Sequence, residues 1–461
     1  MNKKIKLTLQ DFFDIKGTQI FNPDFFPAID NFSIDSRQIK KGSLFIAIRG
    51  QRFDGHNFVK DSIDAGASVV AIEKKYLKEF KHLSIPFIVV NDTTKFLGHL
   101  ASVWRSKLRT KIIGIGGSNG KTTTKEILAT LLSYNYSVNK TEANKNNHIG
   151  VPLTILSTNN HHKYLVLEFG SNHPGEIKYL AQIAKPDYAL ITNIGDSHLE
   201  FFKDRVGVVK EEGELFKNTI SNGGIIFLNY EDPILRRHYA SIKNKITYSF
   251  NYKTNFVCKI KEIDEQHRIS FIVNQNRIKF KSPLPGEMGL YNFFASIVVA
   301  KTFGMTFKDI SIAQKNIKAY DKRLELKKFN TTWIINDCYN ANPTSMELAL
   351  DLLNNFHIKY KKIAILGDML ELGETSIQKH KEIGKYINTI EINSVFTFGN
   401  HSRCISKAVV GYQKEKHHFN SKEDLKKYLD NLDLSKTIIL IKGSRGMQLE
   451  EITEFLEAKL K

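Results

Sequence analysis

The sequence predicts a three-domain α/β protein in which a phosphate-loop ATPase domain sits between a small N-terminal α/β unit and a dinucleotide-like C-terminal fold. Three observations predict this. At 461 residues, 41% of them hydrophobic, the chain is too long for one ordinary core. Short apolar runs suited to buried strands alternate with stretches of helical spacing. A glycine-rich turn at 116–120 joins one such run to one such stretch.

The section up to about Lys107 mixes short apolar runs, such as Ser43 to Ile48 and Ser68 to Ile72, with polar turns. The second section opens at Lys111, where IIGIGG reads as a buried strand and TTTKEILATLLSYN as the helix after it. Further strand candidates are YLVLEFG (164–170), YALITNIG (188–195) and GIIFLNY (224–230), and their alternation with helical stretches predicts a mostly parallel sheet. Near Asp321 the alternation restarts with WIINDCYN, SMELALDLLNNF, KIAILGD, a helix around QKHKEIGKYI, SVFTFG, TIILIKGS and a terminal helix. The expected domains are therefore 1–107, 108–318 and 319–461.

A net charge of +19 suits nucleic acid, a membrane surface or an anionic substrate. Because the lysines are dispersed among Asn and Ile residues, general compositional bias explains the charge, and with no clustered cationic segment or nucleic-acid module no nucleic-acid partner is expected. No run approaches the roughly 20 apolar residues of a membrane span, and the lysines of the first segment precede no apolar stretch, so a cytoplasmic protein without membrane insertion is expected. Cys258, Cys338 and Cys404 have neither metal-type nor redox-type spacing and read as reduced, structural thiols.

The segment Gly116-Gly117-Ser118-Asn119-Gly120-Lys121-Thr122-Thr123 carries the clearest chemistry. Between a strand and a helix, backbone N–H groups and the positive helix end can converge on phosphate oxygens. Lys121 is positioned to neutralise the β and γ phosphates, and Thr122 to offer its hydroxyl to Mg²⁺. The usual spacing asks for glycine at Ile115, so the loop is a variant; Asn119 likewise breaks the G-x-G-x-x-G fingerprint. The loop selects nucleotide binding over a ligand-free turn but names no reaction.

Eight stretches, taken in order, carry a resemblance. They are DSRQIKKGSLFIAIRGQRFDGHNF (35–58), GGSNGKTTTKE (116–126), ANKNNHIGVPLTIL (143–156), LEFGSNHPGEI (167–177), ITNIGDSHLE (191–200), DCYNANPTSMELAL (337–350), ILGDMLELGE (365–374) and KGSRGMQLEE (442–451). Together the chain resembles the Mur ligase family, and within it the member that adds D-alanyl-D-alanine. The resemblance implies an N-terminal domain for a UDP-linked substrate, a central ATPase, and a C-terminal domain that closes over ATP and the dipeptide. It implies ATP and Mg²⁺ as cofactors, UDP-N-acetylmuramoyl-tripeptide and D-alanyl-D-alanine as substrates, an acyl-phosphate route, and a monomer.

The same resemblance implies the site residues. Glu168 and His198 correspond to metal-contacting positions, and a carboxylate at a strand end beside a phosphate loop suits a hard cation. Glu212 stands where the family usually carries a lysine whose amine has captured CO₂; either its carboxylate replaces that group permanently or the support is absent. Lys210, two residues away, is turned by about 200° on a helix and is a poor substitute. Asn292 resembles an adenine contact, although Met288 and Gly289 depart from the usual pattern around it. Arg323, Asp337 and Tyr339 resemble third-domain residues that reach ATP, and Asn340 and Asn342 amides suited to a dipeptide. Ser36 and Arg37 match the UDP-contacting region, with a structural ion pair as the alternative for Arg37. Asn144, Asn147 and His148 resemble a substrate-facing loop, and Lys442, Ser444 and Arg445 offer cations and a hydroxyl. Another Mur ligase, a folylpolyglutamate synthase-like ligase, a nucleic-acid ATPase and a non-catalytic nucleotide-binding protein are the competing readings; DCYNANPTSM and LGDMLELGE favour the dipeptide-adding member.

Overall fold

A computed structural model describes residues 5–50, 52–318, 320, 322–356, 359–411 and 414–461. The expected restart at Asp321 lies outside the described residues, as does Gln51 within the 35–58 stretch. Three sheets organise the chain. The first has five strands in the order Gln19–Phe21, Phe87–Val90, Ala67–Glu73, Ser43–Ile46, Phe32–Ser33, parallel except for the first pair.

The second sheet has nine strands. Its parallel part runs Val138–Lys140, Tyr164–Glu168, Lys111–Gly116, Tyr188–Ile191, Ile225–Asn229, Lys245–Ser249, Phe256–Ile263. Alternate residues go to opposite faces. Ile113, Ile115 and Val166 join Leu128, Leu131 and Phe293 in one core, whereas Ile112, Leu165 and Leu167 join Leu180 and Leu215 in another. Burial on both faces explains why these strands read as continuous apolar runs. Antiparallel strands Ile269–Val273 and Lys279–Lys281 extend this sheet beyond the parallel expectation. The sequence hides them because the adjoining strand, Phe256–Ile263, is exposed from Lys259 to Ile263 and lacks a buried run.

The third sheet orders Glu325–Phe329, Thr332–Asp337, Thr437–Lys442, Lys361–Gly367, Ser394–Phe398, Glu415–Phe419, with only the first pair antiparallel. Its expected helices appear as Pro343–Asn355, Ser376–Ile387 and Glu450–Leu460. In parallel sheets ligands gather at the carboxyl ends of the strands. In the second sheet Gly116 and Glu168 occupy such ends, and in the third Asp337 and Lys442 do, and all but Gly116 line one shared cleft.

The helix Thr93–Lys107 fastens the first unit to the second. Asp92 caps its start through the Thr94 and Lys95 amides, and Trp104 donates to the Thr158 carbonyl at 2.7 Å. Arg105 donates to the carbonyls of Ala184 and Lys185 and to Asp187 at 2.8 Å. Cys258 and Cys338 are buried free thiols, and burial pushes the Cys338 thiol up to about 12. Among the described residues no helix is long and apolar enough to cross a membrane.

Within the first unit Asp54 lies under three donors. Burial alone would raise its carboxyl, but the Tyr76 hydroxyl and the His56 amide and ring outweigh it and hold the group at about 2 against an ordinary 3.8. A depressed folded value means that this stabilisation is complete above 3.8 and is lost as pH falls toward about 2. Asp54→Asn should therefore lower the unfolding temperature near neutral pH, and the two proteins should converge near pH 2. A gap that stays constant through that range, measured by thermal unfolding, would contradict the assignment.

Candidate active site

The strand Lys111–Gly116 runs into the phosphate loop, and the helix Lys121–Ser133 leaves it. Glycine is required twice. Gly117 has φ +117° and a Cβ there would lie 2.2 Å from Thr192 Oγ1; Gly120 has φ +81° and its Cβ would lie 2.3 Å from Asn292 Oδ1. The amides of Gly117, Ser118 and Asn119 donate to Glu212 Oε2 (2.7 Å), the Asn193 carbonyl (2.9 Å) and Asn193 Oδ1 (3.2 Å). Protein acceptors thus take three N–H groups expected to face phosphate. The amides of the first helical turn, which no helix can satisfy internally, are left for that task. The Lys121 ammonium rests on the Gly117 carbonyl, and the Ser118 hydroxyl accepts from the Gly195 amide at 2.8 Å.

Glu168 ends its strand directly beside this helix. Its Oε1 accepts from the Thr122 hydroxyl at 3.0 Å and the Asn146 amide at 2.9 Å. Its buried Oε2 has no hydrogen bond, and its nearest charge is Lys125 Nζ at 3.5 Å. Lys125 is fully buried and also meets Glu126 at 3.1 Å. An unsatisfied carboxylate oxygen beside a threonine hydroxyl fits a hard divalent cation.

The other metal candidates lie apart from this pair. Among the described residues no three His, Cys, Asp or Glu side chains are grouped to hold a metal ion. His198, with φ +51°, places Nδ1 2.6 Å from Oε2 of Glu371, a close charge contact without hydrogen-bond alignment. This close contact with His198 holds the Glu371 carboxyl below its usual range despite burial. Glu212 is buried and absent from the cleft wall, with Oε2 committed to Gly117, so this geometry does not carry the expectation that it supports the ion. Lys210 is exposed on the same helix, as its spacing predicts.

The cleft encloses about 1150 Å³ and takes walls from both the second and the third sheet units. From the third unit Tyr339 lies under two guanidinium groups, Arg323 at 3.8 Å and Arg445 at 5.2 Å from its ring centre. Lys442, nearly fully buried, donates to Asp337 at 2.5 Å and to the Asn340 carbonyl at 3.1 Å. With Lys121 opposite, these cations give the cleft the charge a polyphosphate needs.

Several expected contacts are already engaged within the protein. Asn292 Oδ1 accepts from Thr124 at 3.2 Å beside Gly120, so its amide oxygen braces the loop. At Gly289, one of the departures from the usual pattern, a Cβ would lie 2.5 Å from the Leu284 carbonyl; Met288 lines the cleft. Asn342 caps the helix Pro343–Asn355 through the Ser345 amide and donates to Asn119 at 2.8 Å across the two units. Asn147 caps Gly150 and Ile149, while Asn144, His148 and Asn340 are exposed on the cleft wall. Thr123 also lines it. Ser444 is buried outside it, held by the Asp368 and Ala341 carbonyls and the Leu370 amide. Ser36 and Arg37 lie in a short helical turn outside this cleft, and Arg37 pairs with Asp35 through two bonds of 2.9 and 2.8 Å, the structural alternative for it.

Sequence reasoning missed Asn146, Lys125 and Glu371. Each lies inside a quoted stretch, but only the folded chain brings the first two to Glu168 and the third to His198.

Comparison with known proteins agrees with this architecture. The chain matches the Mur ligase family catalytic domain over residues 28–105, the Mur ligase middle domain over 115–300 and the Mur ligase glutamate ligase domain over 322–445. The UDP-N-acetylmuramoyl-tripeptide--D-alanyl-D-alanine ligase of Bacillus subtilis (strain 168) is 35% identical, with 98% of each chain covered. The enzyme of that name from Escherichia coli (strain K12) is 30% identical, covering 98% of this chain and 99% of the relative. A MurF crystal structure from Acinetobacter baumannii superposes with a TM-score of 0.86 at 27% identity, covering 98% of this chain and 99% of that one. MurF from Thermotoga maritima in complex with ADP gives 0.81 at 29% identity, covering 93% and 97%. The chain belongs to the Mur ligase family. It is an ATP-dependent ligase of that family.

The Glu371 contact yields a direct test. Residues that orient a functional histidine typically change activity by roughly 10–100-fold when removed. Glu371→Ala should lower turnover within that range while leaving nucleotide affinity near that of the unmodified chain; steady-state rates at saturating ATP that match the parent protein would make the contact incidental.

Proposed function

We propose that the chain joins D-alanyl-D-alanine to the free carboxylate of a UDP-N-acetylmuramoyl-tripeptide at the expense of ATP, giving the pentapeptide precursor of peptidoglycan, ADP and phosphate. The observation that carries this reading is the single cleft in which the Thr122–Glu168 pair of the phosphate loop faces the cations of the third unit. The names of the relatives supply the substrates.

A carboxylate is a poor electrophile near neutral pH, because an amine attacking it has no adequate leaving group to displace. Transfer of the γ-phosphoryl group to a carboxylate oxygen breaks its bond to ADP and forms an acyl phosphate. The amine of the dipeptide then attacks the acyl carbon, phosphate leaves with that oxygen, and the nitrogen gives up a proton. In this scheme Lys121 turns from the Gly117 carbonyl to the β and γ phosphates, and the first-turn amides of Lys121–Ser133 hold phosphate oxygens.

Thr122 and Glu168 would hold Mg²⁺, with His198 near the same wall. When bound, the ion would offset phosphate charge. Lys125 and Asn146 keep the Glu168 carboxylate in place. Arg323, Arg445 and Lys442 supply charge from the opposite wall, and Asp337 and Tyr339 fix them. Asn144, His148 and Asn340 are the exposed groups for the peptide substrates. Residues 1–107 serve the UDP end through the region of Ser36 and Arg37, residues 108–318 the nucleotide, and residues 319–461 the nucleotide and dipeptide. Holding both reactants in one dry cleft can remove on the order of 7–11 kcal/mol of barrier. The setting is the cytoplasm, and the working unit a monomer.

The experiment is to mix the purified protein with ATP, Mg²⁺, D-alanyl-D-alanine and each UDP-tripeptide, ending in lysine or in diaminopimelate, and to weigh the products. A product heavier by one dipeptide residue pair is expected with at least one of them, and its absence with both would reject the proposal. Lys121→Ala should lower turnover by roughly 10²–10³, the scale for one lost transition-state charge stabiliser. Near-normal ligation by that variant would remove the loop from the mechanism.

A further inference from the structure

Glu212 is a buried carboxylate for which the scheme above has no use. It lies on the helix Arg205–Ser221, whose inner face packs under the strand that feeds the phosphate loop. Leu215, one turn on, sits where a Cβ on Gly114 would come within 2.9 Å of it. Glu212 itself reaches the loop: its Oε2 accepts the Gly117 N–H at 2.7 Å, and a Cβ on Gly116 would lie 2.7 Å from that same oxygen. From the other side Thr192 accepts no side chain at residue 117, because a Cβ there would meet its Oγ1 at 2.2 Å and its amide at 2.9 Å. The glycine pair 116–117 is therefore squeezed between Glu212 and Thr192.

We propose that Glu212 is a positioning residue for the nucleotide, which fixes the Gly117 peptide and through it the curvature of loop 116–121, instead of meeting metal or substrate. Gly117 is held at both ends, its N–H by Glu212 and its carbonyl by the Lys121 ammonium. The second of these contacts must break when Lys121 turns to phosphate; the first does not, so Glu212 keeps the loop in shape while its lysine moves. A buried bond that fixes a backbone amide matters most where the backbone is in the left-handed region, as at φ +117°. Only an acceptor can do this. A free lysine ammonium at this position offers only N–H donors and nothing to the Gly117 amide, whereas a lysine carbamate would again present an oxygen.

The inference rests on nucleotide binding at this loop, and the test separates the two. ADP binding is measured by calorimetry on the full-length protein without divalent metal, alongside KM for ATP and kcat with metal, for Glu212→Gln, Glu212→Met and Glu212→Lys. Gln keeps an acceptor oxygen; Met fills the space without a comparable one; Lys, assayed without bicarbonate, puts donors in its place. The Met and Lys variants should lose roughly 10-fold in metal-free ADP affinity, the scale of one buried hydrogen bond, with KM for ATP rising more than kcat falls. Gln should stay within about 3-fold of the parent, because the bond to Gly117 survives in neutral form. Parent-like metal-free ADP affinity in a folded Met variant would overturn the proposal. So would a Gln variant impaired only when Mg²⁺ is present, since that would return Glu212 to metal support. Should the Met variant fail to fold, the Gln result decides alone: lost metal-free affinity rejects the tether. If the parent protein itself binds no ADP, the functional reading fails before this one is reached.

Discussion

A tight reversal between a buried strand and the helix Lys121–Ser133 constrains everything else at this site. Such a loop holds phosphate only if its peptides are already turned, because ordering them at the moment of binding would consume the affinity they provide. Here the turning is done from behind. Glu212, Asn193 and Thr192 engage the amides of Gly117, Ser118 and Asn119 and the carbonyl of Asn119, and Asn292 closes on Gly120 from the side. The loop is a rigid mount that offers the helix end to the cleft, and the cleft inherits its position.

The same rigidity extends across the units. Asn119 in the loop accepts from Asn342, which also caps the first helix of the third unit. Asp196, two residues before His198, takes Arg205 at 2.7 Å from its own unit and Lys379 at 3.2 Å from the third. Burial would raise the Asp196 carboxyl, but these two cations overcome it and hold the group below its usual range. Glu371 adds the contact to His198, and its carbonyl accepts the Glu200 amide at 3.1 Å. The segment Gly195–Glu200 is thereby a seam on which docking of the third unit and the geometry around His198 depend together.

Much of this was legible in the residues. The parallel strands of the second sheet could be read because burial on both faces leaves long apolar runs, and the glycine turn because Gly117 and Gly120 occupy conformations other residues avoid. The antiparallel extension was hidden, since Phe256–Ile263 turns Lys259, Lys261 and Glu262 outward and carries little of the burial signal. In the site, the identities of Lys121, Thr122 and Glu168 pointed to their neighbourhood. What Asn292, Asn342 and Ser444 bond to could not be read, because each spends polar atoms on backbone or side chains far away in sequence. The partners of Glu212 and His198 fall in the same class, a peptide N–H of the phosphate loop for the first and a carboxylate of the third unit for the second.

The central claim is that the cleft converts a carboxylate into an acyl phosphate before an amine arrives, and the most direct measurement follows the carboxylate oxygen. With UDP-tripeptide labelled with oxygen-18 in its terminal carboxylate, ligation by this protein should release phosphate that carries one labelled oxygen, detected by mass or by phosphorus resonance shift. Phosphate free of label in a reaction that forms the dipeptide-extended product would contradict the account.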